Sequence, residues 1–343
     1  MEGLTQNETT ISYTEFVLFG FPGVIKYRKL LMIPFMFIYV VILSGNILII
    51  HRVFVEPSLH SPMYFLVNLL FAVNISSTTA VLPKFLLGLS FNSNQITLSG
   101  CLSQMFYIYF MAIFESGVIL SMALDRFIAI CRPLRYNDIM TTGLLVQLAL
   151  IGVVRSVLLV SPMVVLTSSV RFCRSNVILN FVCENMGLLS LACEDISQQQ
   201  AVGLMVRILV TVVDVSLLLL SYSTIVYTAM KIAVGKARHK ALHTCGAHLT
   251  VAMIIYLSAL ISSVVYRMHT YVSYDIQNLF NALYLMIPAS LNPFIYGLGV
   301  KEIRRCLTRS WRNKTTIVSS SSMHIRVNKT FVFRVLAKKK EEN

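Results

Sequence analysis

Seven long apolar runs limit what this chain can fold into. They cover Leu30–Phe54, Met63–Leu89, Cys101–Ile130, Gly143–Val170, Ala201–Met230, Leu249–Tyr266 and Leu279–Leu298. At a rise of about 1.5 Å per residue, each is about long enough to cross a hydrocarbon layer about 30 Å thick. A lone strand would leave backbone groups unpaired in lipid, so the runs predict helices. Composition agrees. Of 343 residues, 56% are hydrophobic and only 13% are charged, whereas soluble domains carry roughly a quarter charged residues. The expected fold is an all-α membrane protein, a bundle of seven transmembrane helices. No apolar core precedes the first run, so no cleavable signal peptide is expected.

The net charge of +14 invites a nucleic-acid reading. Its distribution argues against one, because the cations cluster between and after the apolar runs. Placing the N-terminus outside puts Arg52, Arg126, Arg132, Arg135, Lys231, Lys236, Arg238, Lys240 and every cation after Gly299 in the cytoplasm. That is twenty of the 29 Lys and Arg residues, as the positive-inside rule requires. Lys26, Arg28 and Lys29 oppose it and are outnumbered. The expected layout is an extracellular tail at 1–29 and the membrane domain at 30–298. A short amphipathic helix at 299–311 and a flexible basic tail at 312–343 follow.

In that orientation Cys101, Cys173, Cys183 and Cys193 all face an oxidising compartment and can form two disulfides. Four cysteines allow three pairings, and the residues alone do not choose. Cys131, Cys245 and Cys306 fall on the reducing side. Asn7 opens an exposed glycosylation sequon, whereas the Asn74 sequon lies inside a span.

Charged and kinked positions inside the runs carry the functional signal. Asp125-Arg126 ends the third run, where a charge pair is expensive unless it is used. Arg126 can pair with Asp125 at rest and turn toward Tyr222 or Tyr296 when the cytoplasmic ends separate. The simpler reading is a positive-inside anchor. Asn292-Pro293 lies within the seventh run. Proline there removes a helix hydrogen bond and permits a kink, and Asn292, Asn46 or water can satisfy the freed carbonyl. Tyr296 follows one turn on. Arg155, Arg207 and Asp214 must face the bundle or pair. Arg207 and Asp214 are seven residues apart, two turns along one face, so each needs a partner on another helix.

The segments Met122-Ala123-Leu124-Asp125-Arg126-Phe127-Ile128-Ala129-Ile130-Cys131 and Pro133-Leu134-Arg135-Tyr136 resemble the olfactory receptor family of rhodopsin-like receptors. So do Gly45-Asn46, Leu59-His60-Ser61-Pro62-Met63-Tyr64-Phe65, Pro83-Lys84, Ser221-Tyr222, Lys240 to His248 and Pro288 to Tyr296. The resemblance covers about Leu30 to Leu307. It implies a plasma-membrane receptor, without enzymatic activity or cofactor, that binds a small odorant and activates a heterotrimeric G protein of the stimulatory olfactory type. It implies disulfides Cys101–Cys183 and Cys173–Cys193. It implies inward positions at Tyr109, Ala112, Ile113, Gly203, Val206, Val210, Tyr256, Ala259 and Ser263, which are equally compatible with ordinary helix packing. It also implies switch roles for Asp125, Arg126, Tyr222, Asn292, Pro293 and Tyr296. Arg267 lies four residues after Ser263. It suits either an anchor for a carboxylate or a snorkelling interfacial cation.

Two positions depart from the family pattern. Asn74 stands where these receptors usually carry Asp, leaving Glu115 as the one carboxylate there and arguing against sodium regulation. Phe127 replaces the usual Tyr. After the seventh run, Val300, Ile303, Leu307 and Trp311 alternate with cations at helical spacing and predict contact with membrane lipids. Cys306 there suits either a palmitoyl anchor or a free thiol. A non-olfactory rhodopsin-like receptor is the nearest alternative. A transporter would show an internal repeat, which is not visible, and a channel would have no use for the Asp125-Arg126 and Asn292-Pro293 motifs.

Overall fold

The computed structural model describes residues 12–91, 93–232, 236–267, 271–300, 302–306 and 308. Asn7 and the tail at 312–343 lie outside these residues, as does the side chain of Arg267. The chain order is β1 (Glu15–Leu18), α1 (Arg28–Val55), α2 (Pro62–Thr79), α3 (Leu82–Phe91), β2 (Gln95–Thr97) and α4 (Leu98–Cys131). Then come α5 (Tyr136–Ile139), α6 (Thr142–Ser168), β3 (Val177–Ile178), α7 (Asn185–Leu189), α8 (Ser197–Ile232), α9 (Lys236–Arg267) and α10 (Tyr274–Gly299).

Among the described residues, seven helical stretches are long and apolar enough to cross a membrane, with α2 and α3 together forming the second. Each matches one apolar run of the sequence. Their outward faces carry side chains such as Phe37, Leu158, Leu219 and Leu220, each about two-thirds exposed, which only lipid would cover. Helix starts follow local chemistry. Thr97 and Thr141 accept the N–H groups of Gly100 and Leu144 at 3.1 and 3.3 Å, and Pro62 begins α2, positions where these residue types cap or initiate helices.

The second span breaks between Thr79 and Leu82, just before Pro83, and the helix resumes to Phe91. Proline lacks the N–H the turn needs. Gln104 reaches across from α4 and donates to the Ala80 carbonyl at 3.1 Å.

One end of the bundle carries a small sheet of order β2-β1-β3. β1 runs antiparallel to β2 and parallel to β3. Phe16 in β1 is fully buried and meets Phe172 edge-on at 5.7 Å. The segment read from the sequence as a tail therefore contains an ordered strand that ties together the loops before α4 and before α8. At the opposite end, residues 302–306 and 308 are helical, and Val300 and Ile303 join the core formed by α2, α4 and α9. The remainder of the segment at 301–311 lies outside the described residues.

Candidate functional site

Two disulfides brace the sheet end: Cys101–Cys183 and Cys173–Cys193. The first ties the loop before α8 to the start of α4. The Cys183 N–H also donates to Gln104 at 3.1 Å. Residues 181–186 are thereby drawn over the helices as a roof.

Beneath it lies a cavity lined among others by Tyr109, Phe181, Glu184, Gly203, Arg207, Ser263, Asn281 and Tyr284. A second space shares Gly203, Arg207, Ser263 and Tyr284 with it and is also lined by Ala112, Ile113, Val206, Val210, Tyr256 and Ala259. The two spaces thus adjoin through shared wall residues, and Tyr109, Ala112, Ile113, Gly203, Val206, Val210, Tyr256, Ala259 and Ser263 all border one or the other. Arg267 ends α9, one turn beyond Ser263.

Among the described side chains the cation in the wall is Arg207, which the inward-position set omitted. The signal was present, because an arginine inside a span must face the bundle or a partner. The same wall carries Glu184, whose carboxylate accepts from the Tyr109 hydroxyl at 3.3 Å. That hydroxyl accepts the Asn185 N–H at 3.3 Å. Asn281 accepts from Ser262 at 2.6 Å, and its Nδ2 is buried with no hydrogen-bond partner. Gln200, Ser263 and Tyr284 add further polar groups, and Val81, Ile108, Met163, Leu204 and Leu285 supply the apolar part of the wall, a mix common in small-molecule sites.

The deeper end of the cavity touches a polar network. Arg155 of α6 donates to both carboxylate oxygens of Asp214 of α8, at 2.7 and 2.8 Å. Asp214 is fully buried. Tyr256 of α9, itself in the cavity wall, donates to the same carboxylate at 3.3 Å. Arg155 and Asp214 are thus each other's partners.

Below it, Asn46 resolves the proline problem. Pro293 cannot donate to the Ala289 carbonyl one turn earlier, and Asn46 Nδ2 does so at 2.9 Å. Asn74 in turn donates to Asn46 Oδ1 at 3.1 Å. A side chain at Gly45 would place Cβ 3.2 Å from the Pro293 ring, so glycine lets α1 approach the kink. Asn292 is fully buried, with both amide atoms lacking protein partners. Glu115 Oε1 is likewise unpaired and lines a smaller cavity with Asn74 and Ser77.

At the far end, Arg126 gives Nε and Nη2 to Asp125 Oδ2 at 2.9 and 2.5 Å. The other oxygen accepts the Tyr136 hydroxyl at 2.6 Å. Burial, and then the neighbouring carboxylate, raises the Tyr136 phenol above its ordinary ionisation range. Tyr222 and Tyr296 are buried close by. The Tyr296 hydroxyl shares a hydrogen bond with His248 Nδ1 at 3.2 Å, and its ring meets Phe71 edge-on. Sequence reasoning assigned no role to Tyr136 or His248.

A family model described as olfactory receptor matches residues 35–314, a stretch that includes the cavity, the kink and the Arg126 cluster. The chain belongs to the olfactory receptor family. It is 36% identical over 307 residues to human olfactory receptor 52P1, covering 90% of this chain and 96% of that protein. It is 36% identical to mouse olfactory receptor 56B34 over 87% of this chain and 92% of that one. It is 37% identical to human olfactory receptor 51I2 over 87% and 96%. Olfactory receptors are G-protein-coupled receptors for odorants and are not enzymes. With seven spanning helices, this receptor is a multi-pass protein of the plasma membrane.

Proposed function

We propose that the receptor binds a small odorant bearing a carboxylate or a comparably strong acceptor in the roofed cavity, with Arg207 as its anchor. The observation that carries this reading is the Arg207 guanidinium, which is the cation among the described side chains of the wall and lies beside neutral hydrogen-bonding groups and apolar surface. A guanidinium offers five donors in a planar fork, more than the single neighbouring carboxylate of Glu184 can use. Ser263 and the Asn281 amide stand in the same wall and add neutral hydrogen bonds. Tyr109, Ala112, Ile113, Gly203, Val206, Val210, Tyr256 and Ala259 set the shape of the apolar part. Arg267, which ends α9 one turn past Ser263, is a second candidate anchor.

The roof faces the extracellular side, and Arg126 faces a G protein of the stimulatory olfactory type. Asn7 carries a glycan. Ligand at Tyr256 reaches Asp214, and α9 then separates from α4 to free Arg126. Val300 and Ile303, expected from the sequence to touch lipid, are instead buried in the core, and the exposed Arg304 and Arg305 beside them face inner-leaflet lipids.

The test is cyclic AMP in cells carrying the receptor, comparing a carboxylic acid with its methyl ester of equal chain length. A charge-assisted hydrogen bond contributes roughly 1.5–3 kcal/mol, about ten- to a hundredfold in affinity. Arg207→Ala should weaken the response to the acid by about that factor and spare the ester. Equal responses to both ligands in wild type and Arg207→Ala, at matched surface level, would remove Arg207 as the anchor.

A further inference from the structure

The roof residue Phe181 lines the cavity and is gripped from two directions. From α10, Asn278 Oδ1 accepts its N–H at 2.9 Å, while Asn278 Nδ2 donates to the Leu179 carbonyl at 3.0 Å. From the N-terminal segment, Gly20 lies directly against its backbone. A Cβ at Gly20 would stand 2.6 Å from Phe181 Cβ and 2.9 Å from its Cα, closer than atoms approach without displacement. Next along the chain, the Phe21 ring stacks on Phe181 at 6.3 Å and meets Phe35 and Phe85 at 5.8 and 6.1 Å.

Phe21 adopts a φ of 56°, unique among the described non-glycine residues. A bulky residue in the left-handed region is strained and persists only where its surroundings dictate it. Here they do. Upstream, Val17 and Phe19 donate their N–H groups to Asn176 and Ile178 at 2.8 Å each, and Leu18 donates to Asn94 at 2.9 Å. Downstream, the Gly23 N–H donates to Asp275 at 3.0 Å. The chain must turn sharply between these fixed points, and the turn directs the Phe21 ring into the Phe35–Phe85–Phe181 cluster. Phe21 is itself absent from the cavity wall.

We propose that the Gly20–Phe21 corner is a positioning element for ligand specificity. It seats Phe181 in the cavity wall and so limits the size of ligand the site accepts. The size claim rests on the cavity being the odorant site; the seating of Phe181 does not.

Two measurements test it. In the first, Ala112→Cys places a thiol in the cavity wall of the full-length receptor in detergent. Its modification by a charged methanethiosulfonate reagent is timed, with the parent lacking that cysteine subtracted. Gly20→Ala should displace Phe181 and raise the rate several-fold. Phe21→Ala and Phe21→Gly should do the same, since both remove the ring, and Phe21→Tyr should restore the slow rate. Phe21→Leu loses the ring stack on Phe181 while keeping apolar bulk, should raise the rate by a smaller factor, and serves if Gly20→Ala fails to fold. Unchanged rates in the folded variants would overturn the proposal. In the second, without the added cysteine, straight-chain carboxylic acids of rising length are compared by cyclic AMP. The variants should shift preference toward longer acids while keeping the maximal response. Faster labelling with an unchanged length profile would overturn the size claim. If no acid activates wild type, the anchor reading fails, and the labelling measurement still decides the seating of Phe181.

Discussion

Asp125 and Arg126 are neighbours on one helix, whereas Arg155 and Asp214 are 59 residues apart on two. Both pairs bury their carboxylate almost completely, with side-chain exposures of 1% and 0%. The first lies at the end of α4, where Arg126 can leave for other partners without any helix separating from its neighbour. The second joins α6 to α8 through the fully buried Asp214, and opening it would pull two helices apart. Position and connectivity make the first a contact that can be exchanged and the second a weld.

Breaking the weld should have the largest effect. Removing one member of a buried pair costs about 3–5 kcal/mol, because the other charge is left uncompensated. Asp214→Ala should therefore abolish surface expression and lower the melting temperature of purified receptor. The double change Asp214→Leu with Arg155→Leu should recover most of the expression, since apolar replacement of a buried pair is often close to neutral. It should still respond weakly to ligand, because Tyr256 loses its acceptor. Wild-type expression of Asp214→Ala would erase the distinction between the pairs.

The exchangeable contact should behave differently. Arg126→Ala leaves Asp125 with the Tyr136 hydroxyl as a partner, close to the membrane edge. Folding and ligand binding should survive, while ligand-induced cyclic AMP is lost. Flow cytometry for surface level, beside the cyclic AMP response, separates the two. Normal signalling would reduce Arg126 to an anchor. Loss of expression equal to that of Asp214→Ala would make it a second weld.

The same contrast explains what could be read from the sequence. The seven spans were legible because length and hydropathy are properties of contiguous residues. So was the Asp125–Arg126 pair, whose members are adjacent. Asn46 was one of three candidates for the carbonyl freed by Pro293; packing of α1 on α10 through Gly45 is what selects it. The need for partners at Arg155, Arg207 and Asp214 was legible from their cost in lipid. Which partner each takes depends on helix rotation, which no single run encodes. β1 left little trace, since four residues pairing with two distant loops form no periodic pattern of useful length.

The smallest expected effect concerns how the exchangeable pair is held at rest. Asp125 divides its oxygens, Oδ2 to Arg126 and Oδ1 to Tyr136. The phenol thus fixes the carboxylate plane in the orientation that serves Arg126. A hydrogen bond to a charged group contributes about 1.5–3 kcal/mol, and in Tyr136→Phe part of that is lost from the resting state alone. A loss of about 1.4 kcal/mol would move the resting-to-active ratio about tenfold, so basal cyclic AMP should rise while ligand potency improves modestly. The phenol's ionisation is raised, so its hydrogen bond is complete below the ordinary tyrosine range and is lost only as pH climbs through the elevated value. Basal signalling of wild type should accordingly be insensitive to Tyr136 ionisation near neutral pH. Reduced basal signalling in Tyr136→Phe, at matched surface level, would show that Tyr136 supports the active arrangement instead.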